Sequence, residues 1–175
     1  TMDYVLRAEV AAELALREQK PEQALTELDR IPKPPPAAHL SEIQRLRALA
    51  LFQLNRPAAA IALAMEREKG LTDPQAIQDN RRMIWQGLQR SAAAGADIAV
   101  PPGASPTLAG WLELSRSALA AARNPLIAGD EVQRWRERYP NHPANSVLQH
   151  DVLPDIGSNL EYPTQVALIL PLTSR

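Results

Sequence analysis

Apolar residues recur with the period of an α-helix from the start of the chain. Over residues 3–19 a stripe of apolar side chains repeats at every fourth position, at Leu6, Val10 and Leu14. The charged residues of the same segment fall off that stripe, at Glu9, Glu13 and Arg17. Because residues four apart share one face of a helix, this spacing predicts an amphipathic first helix that buries its apolar stripe.

Similar helical patterns follow along the chain, most of them opened by a proline. Further helices are predicted to begin near Pro21, Ala38, Pro57, Pro74, Pro106, Pro125 and Pro143. Proline fits the first turn of a helix, where its missing N–H costs no hydrogen bond. Asp73 and Ser105 precede two of these prolines and are predicted N-caps. The pattern therefore predicts an all-α fold of about eight helices.

Two consecutive helical hairpins carry related residues 36 positions apart. This spacing relates Ala12 to Ala48 and Ala24 to Ala60. Small residues let the two helices of a hairpin approach closely, and a period of about 34 residues is typical of tetratricopeptide (TPR) repeats. When the proline-rich insertion at 32–36 is left out of the count, the spacing of the two hairpins comes close to the TPR period. The sequence therefore predicts TPR-like antiparallel helix pairs stacked in an array.

The helical pattern fails beyond Asp151, and a different one follows. Val166 to Leu172 form an apolar, charge-free run after Pro163, which is typical of a buried parallel strand. No other segment offers a strand to pair with it, so we expect an unpaired strand-like tail. The predicted boundary divides the chain into a helical domain, 1–162, and a linker with the first strand of a truncated domain, 163–175.

Composition supports the helical prediction and narrows the classes of function. Aromatic residues make up only 4% of the chain, which suits alanine-rich helices better than sheets. Lys and Arg number 19 against 20 for Asp and Glu, a balance that argues against nucleic-acid binding. The absence of cysteine excludes disulfides and thiolate chemistry, and no apolar run reaches the length of a membrane-spanning helix.

The sequence lacks the motifs of common enzyme chemistry. It has no HExxH zinc motif, no glycine-rich phosphate loop and no GxSxG elbow, so we expect neither catalysis nor a cofactor. A lytic transglycosylase would need a catalytic Glu in a compact lysozyme-like domain, which no segment provides. One metal candidate is the set His142, His150, Asp151 and Asp155, but a solvated loop beside a helix-starting proline explains these residues better.

Two groups of charged residues are candidates for partner binding. In TPR-like stacks the first helix of each pair lines the concave surface, which by analogy places Glu9, Glu13, Arg17 and Arg45 there. The densest basic cluster, which includes Arg81 and Arg82, could meet an acidic partner, although a solvated helix face explains it equally well. Tryptophans could stack on sugars, but Trp85, Trp111 and Trp135 lie on the apolar stripes of their helices, which favours core packing.

Four stretches follow one another with an order and spacing that is specific when they are taken together. They are NRRMIWQGL from Asn80, AGWLEL from Ala109, WRERYPNHPA from Trp135 and VALILPL from Val166. In these stretches the chain resembles the LpoA family of activators of class A penicillin-binding proteins. The helical hairpins of the first half agree with the amino-terminal, TPR-like domain of that family.

The resemblance implies an outer-membrane lipoprotein that faces the periplasm and stimulates a peptidoglycan synthase, a class A penicillin-binding protein. This chain would be its non-catalytic scaffold domain, with peptidoglycan as a second candidate partner and the lipid anchor upstream. The tail would begin a second domain of periplasmic-binding-protein fold, which would make much of the synthase contact. A generic TPR-type peptide-binding adaptor with a different partner is the alternative.

Overall fold

The computed structural model of the protein describes residues 2–154. Seven α-helices follow one another: α1 (Met2–Arg17), α2 (Pro21–Asp29), α3 (Ala37–Gln53), α4 (Pro57–Glu68), α5 (Pro74–Ala93), α6 (Pro106–Arg123) and α7 (Ala128–Arg138). A 3₁₀ turn precedes α7, and short helical turns at Pro143–Ser146 and Leu148–Val152 stand where the eighth helix was predicted. The all-α prediction of about eight helices is confirmed. The strand-like tail and the boundary at 162 lie outside the described residues.

Proline and short polar side chains set the helix starts as the sequence predicted. The first turns of four helices contain Pro21, Pro57, Pro74 and Pro106. The carboxylate of Asp73 accepts hydrogen bonds from the backbone N–H groups of Gln75 and Ala76. The hydroxyl of Ser105 accepts one from the N–H of Leu108 at 3.2 Å. Both N-caps satisfy donors that a helix otherwise leaves without a partner in its first turn.

The first helices of the two repeated hairpins end in the same backbone geometry. Gln19 and Asn55, 36 positions apart, adopt left-handed φ angles of 58° and 57°. In each case the next backbone N–H reaches a carbonyl five residues back, at 2.8 Å in the first hairpin and 2.9 Å in the second. This is the Schellman motif that closes many helices. The repeat therefore extends from the alanine pattern to the backbone itself.

Alanines allow the helices of the array to pack closely. The four alanines related by the 36-residue spacing, Ala12, Ala24, Ala48 and Ala60, are all fully buried. Helix α3 lies between two cores. Its residues Ile43 and Leu46 belong to the core formed with α1 and α2, and Ala48 and Phe52 belong to the core shared with α4 and α5.

The larger core also contains the three tryptophans. Trp85 and Trp111 are completely buried, and Trp135 is only 3% exposed. The indole N–H of Trp135 donates to the carbonyl of Gly110 at 2.8 Å, which ties α7 to α6. None of the three rings offers a free face to a sugar, so the prediction of core packing is confirmed.

His142 lies at the centre of an aromatic cluster between α6 and α7. Its Nε2–H donates to the carbonyl of Thr107 at 2.7 Å, and its Nδ1 accepts from the N–H of Ala144 at 3.0 Å. The imidazole meets the rings of Trp111, Trp135 and Tyr139 edge-on, at centroid distances of 5.2, 5.2 and 5.9 Å. Both ring nitrogens are therefore engaged by the backbone, and the neutral imidazole acts as a structural element.

The stability of the fold should depend on pH through His142. Burial lowers the pKa of His142 below its usual value of 6.5 and outweighs the opposing effect of the Thr107 carbonyl. The unfolded chain then binds a proton that the folded chain does not, so the free energy of unfolding should decrease as pH falls below about 6.5. The decrease should level off below the pKa of the folded state. Urea unfolding between pH 7.5 and 5 measures this dependence.

A His142→Asn variant is the control for that titration. The asparagine amide can still accept the Ala144 N–H hydrogen bond but does not titrate in this range. The variant is expected to be less stable at pH 7.5 and to lose less stability on acidification than the parent chain. An equal pH dependence in the two proteins would show that His142 does not carry it.

Candidate interaction surface on the first helix

The face of the first helix that packs against the core is opposite to the face that the sequence predicted. Leu6, Val10 and Leu14 are 53%, 62% and 57% exposed. The buried face consists of Val5, Ala8, Ala12, Ala15 and Leu16. The predicted burial of the leucine stripe is therefore wrong. Small alanines let α1 approach α2 and α3 more closely than leucines would, and this close packing decides which face is buried.

The exposed stripe stands between two hollows, and we call Leu6, Val10 and Leu14 the α1 ridge. On one side lies a groove of about 540 Å³ between α1 and α3. The groove is also lined by Glu9, Glu13, Arg17, Glu42 and Arg45. On the other side lies a hollow of about 320 Å³ whose wall also includes Asp3, Arg7 and Ala11. Three of the four predicted concave-surface residues, Glu13, Arg17 and Arg45, thus flank an apolar ridge.

The ionised side chains of the groove largely neutralise each other. A guanidinium nitrogen of Arg45 lies 2.8 Å from a carboxylate oxygen of Glu13 and 2.7 Å from one of Glu42. Arg17 lies 3.5 Å from the other oxygen of Glu13. The hydrogen bond from Arg45 lowers the pKa of Glu42 despite partial burial, and the same bond raises the pKa of Arg45. The groove therefore favours an apolar surface over a strongly charged one.

Glu9, the fourth predicted residue, lies at the floor of the groove. It is 6% exposed, and its carboxylate oxygens lie 2.9 and 3.0 Å from Nδ1 of His39. The contact joins the middle of α1 to the first turn of α3. Because the carboxylate is already engaged, Glu9 shapes the groove instead of presenting a charge to a partner.

The predicted basic cluster of α5 lies apart from the groove. Arg81 forms an ion pair with Glu68 at 2.7 Å and donates to the hydroxyl of Ser146 at 2.9 Å. Arg82 forms an ion pair with Asp151 at 2.9 Å. These contacts fasten α5 to α4 and to the turns after Pro143. The structure does not bring the two predicted groups of charged residues together.

Sequence reasoning missed Glu42, His39 and the exposure of the α1 ridge. Glu42 precedes Arg45 by three positions, a spacing at which opposite charges pair on a helix, so a local signal for it existed. His39 and Glu9 are 30 positions apart and meet only after α3 has packed against α1. No local pattern could have revealed that contact.

The described part of the chain holds neither a metal-binding cluster nor a membrane-spanning helix. Within residues 2–154, no cluster of three or more His, Asp or Glu side chains is arranged to hold a metal ion. Over the same range, no helix has the length and apolar character needed to cross a bilayer. The groove itself combines an apolar wall with charges that are paired within the domain.

Comparison with known proteins identifies relatives of the whole chain. The model of a family described as "LppC putative lipoprotein" matches residues 2–175. The "Penicillin-binding protein activator LpoA" of Haemophilus influenzae is 32% identical over 114 residues, which are 65% of this chain and 20% of that protein. The protein of the same name from Glaesserella parasuis is 29% identical over 156 residues, 86% of this chain and 27% of that protein. The chain thus spans roughly a quarter of these relatives or less.

Solved structures of LpoA resemble the fold. The LpoA N-terminal domain of Haemophilus influenzae aligns with a TM-score of 0.70 at 25% identity, over 89% of this chain and 70% of that one. Full-length LpoA from the same organism aligns with a TM-score of 0.66 at 26% identity, over 86% of this chain and 28% of that one. The predicted TPR-like arrangement of helix pairs is confirmed by this likeness and by the repeated hairpins.

Proposed function

The chain belongs to the LppC family of putative lipoproteins, and from that membership we propose that it is the non-catalytic scaffold and interaction domain of a penicillin-binding-protein activator. The observation that carries the proposal is the family match over residues 2–175, together with the TM-score of 0.70 to the LpoA N-terminal domain. Relatives of the chain are named as activators, a word that describes regulation of another protein. The alternative of a generic peptide-binding adaptor has no comparable support.

The finer features of the proposal come from the resemblance to the LpoA family. The partner is a class A penicillin-binding protein, and the full-length protein is held at the periplasmic face of the outer membrane by an upstream lipid anchor. Peptidoglycan is a second partner, and a following domain of periplasmic-binding-protein fold makes much of the synthase contact. A stack of helix pairs suits this scaffold role, because each pair packs mainly on its neighbours and extends the reach of the domain.

We place the interaction surface of the domain in the groove beside the α1 ridge. The support for this choice is the exposure of three large apolar side chains in one line, since contiguous apolar patches on soluble domains commonly mark interaction sites. Glu13, Arg17 and Arg45 form the polar border of this surface. Arg81 and Arg82 offer a second, smaller basic surface whose charges are partly engaged within the domain.

The proposed function is tested by removing the domain from the longer protein. We expect the full-length activator to accelerate glycan-strand synthesis by the purified synthase, and a version without residues 2–154 to accelerate it less when synthase and activator are held in their membranes. A pull-down of the 175-residue chain with the synthase ectodomain, and another with purified sacculi, tests for direct contact. Equal stimulation by both versions, with neither partner retained by the chain, would overturn the proposal.

A further inference from the structure

The two repeated hairpins use the same positions to pack against the helices that follow them. In α1, Ala12 and Leu16 are buried in the core that α1 and α2 form with α3. Their counterparts 36 positions later, Ala48 and Phe52, are buried in the core that α3 and α4 share with α5. The 36-residue spacing therefore relates the packing direction of each helix as well as its residue types.

Helix α3 has a second buried face, which packs against the hairpin before it. Leu46 and Ala50 lie on this face, are completely buried and belong to the core formed with α1 and α2. Their counterparts 36 positions earlier are Val10 and Leu14 of the α1 ridge. The positions that α3 buries against a preceding hairpin are thus apolar in α1 as well, although no other helix of residues 2–154 covers them.

The third residue of the ridge departs from this correspondence. Leu6 corresponds to Glu42, which is partly exposed and accepts hydrogen bonds from Arg45. The outer face of α1 therefore carries one more large apolar residue than the equivalent face of α3. The correspondence predicts a buried face for α1 at two positions, and Leu6 enlarges the apolar surface that burial would remove from water.

The outer face of α1 is unlike that of a repeat at the end of an array. In repeat proteins each unit contacts only its neighbours, and a terminal unit carries a polar outer face that keeps the array soluble. The α1 ridge instead presents three large apolar side chains in one line. By this criterion α1 and α2 form an interior hairpin, which needs a neighbour on each side.

We propose that the α1 ridge is the docking face for one more helical hairpin, which precedes α1 in the longer protein. This inference names the occupant of the interaction surface, and it rests on the proposed function only in treating that surface as a docking site. The related structure leaves room for this hairpin, because 89% of the 175 residues align with 70% of the solved LpoA N-terminal domain. The unaligned part of that domain is longer than one 36-residue hairpin.

The charges beside the ridge are compatible with a neighbouring hairpin. On the side away from α3, the hollow of about 320 Å³ contains one acidic and one basic side chain, Asp3 and Arg7. These two form an ion pair at 3.7 Å. Arg7 stands where α3 has the buried Ile43, so it lies on the face that the added hairpin would approach. Because Asp3 neutralises it, the hollow can be covered without burying an unpaired charge.

The residues encoded immediately before Thr1 provide the first test. Two amphipathic helical patterns are expected there, within about 40 residues, because one helix pair of this kind spans about 34 residues. Small residues are expected about 36 positions before Ala12 and Ala24, where the helices of the pair must approach closely. An upstream segment without two helical patterns, or with charged residues at both of these positions, would overturn the proposal.

Cysteine labelling shows directly whether the ridge is covered, since the chain contains no cysteine of its own. In the 175-residue chain, Val10→Cys should react with a maleimide as an exposed thiol does. In a longer, otherwise cysteine-free protein that includes the preceding residues, it should react at least about tenfold more slowly, because only local opening would expose it. Leu126→Cys is the matched control, since Leu126 is 92% exposed and should react equally in both proteins. Equal rates for Val10→Cys in both proteins would contradict the inference.

Deletions identify what covers the ridge. Removing the residues before Met2 from the longer protein should restore the labelling rate of the 175-residue chain. Removing the residues after position 162 should leave Val10→Cys protected. If that second deletion exposes the thiol instead, the following domain covers the ridge. Protection that disappears on dilution would indicate a second copy, and protection that requires added synthase ectodomain would indicate the synthase. Each of these three results would show that the preceding hairpin is not the occupant.

Failure of this inference can be distinguished from failure of the proposed function. If Val10→Cys is unprotected in the longer protein but removal of residues 2–154 reduces stimulation of the synthase, the docking of a preceding hairpin is wrong and the scaffold role stands. If Val10→Cys is protected by the preceding residues but that removal leaves stimulation unchanged, the array extends as proposed and the scaffold role is wrong.

Discussion

Replacing Trp111 with alanine should lower the free energy of unfolding by about 3–5 kcal/mol, the range for emptying a large aromatic site in a core. Trp111 is completely buried in the larger core, and its ring meets the edge of His142 at a centroid distance of 5.2 Å. The cavity would open beside the imidazole of His142, whose two ring nitrogens are held by hydrogen bonds to the backbone of Thr107 and Ala144. Urea unfolding followed by circular dichroism measures the loss.

Two further variants show whether the loss comes from packing. Trp111→Phe keeps an aromatic ring, and because the Trp111 indole N–H has no hydrogen-bond partner among residues 2–154, it breaks no such bond there. We therefore expect a smaller loss than for alanine. Leu126→Ala, at a site that is 92% exposed, should change stability by no more than about 0.5 kcal/mol. A loss of less than about 1 kcal/mol for Trp111→Ala would contradict its role in the core.

Gly110→Ala should lower the free energy of unfolding by about 1–3 kcal/mol, the usual cost of overpacking, although alanine favours helix. A Cβ at this position would lie 2.4 Å from Cδ2 and 2.6 Å from Nε2 of His142, and 3.2 Å from Cδ1 of Tyr139. The imidazole cannot retreat freely, because hydrogen bonds to Thr107 and Ala144 fix both of its nitrogens. Thermal and urea unfolding measure the difference.

Gly129→Ala is the matched control for that substitution. Gly129 lies in α7, and a Cβ built there meets no atom within 4 Å. Alanine should therefore stabilise the protein by up to about 1 kcal/mol, which is its advantage over glycine in a helix. If Gly110→Ala were also stabilising, the contact between α6 and His142 would have to be looser than the structure shows.

Two of the four stretches that carry the family resemblance meet around the aromatic cluster. AGWLEL supplies Gly110 and Trp111, and WRERYPNHPA supplies Trp135, Tyr139 and His142. In the sequence these are two separate motifs without an evident physical link. In the structure the glycine of the first provides the space that the histidine of the second occupies, which explains why both residue types are needed together.

The sequence by itself determined the helices, their starts and the repeated hairpins, because these depend on contacts within a few residues. Pro74 after Asp73 and Pro106 after Ser105 mark helix starts through local backbone chemistry, and that chemistry is the same in the folded protein. The tryptophans could be assigned to the core for a similar reason. They lie on apolar stripes of helices whose opposite faces are polar.

Only the tertiary structure decided which face of α1 is buried and which charges meet. That helix has two faces that could enter a core, one of leucine and valine and one mostly of alanine, and the sequence pattern favoured the larger side chains. The neighbouring helices selected the alanine face because it permits closer packing. The same packing brought His39 to Glu9 and Arg45 to Glu13, pairs that are 30 and 32 positions apart. Burial of a helix face depends on the shape of the neighbouring helices. The periodicity of a single helical segment carries no information about that shape.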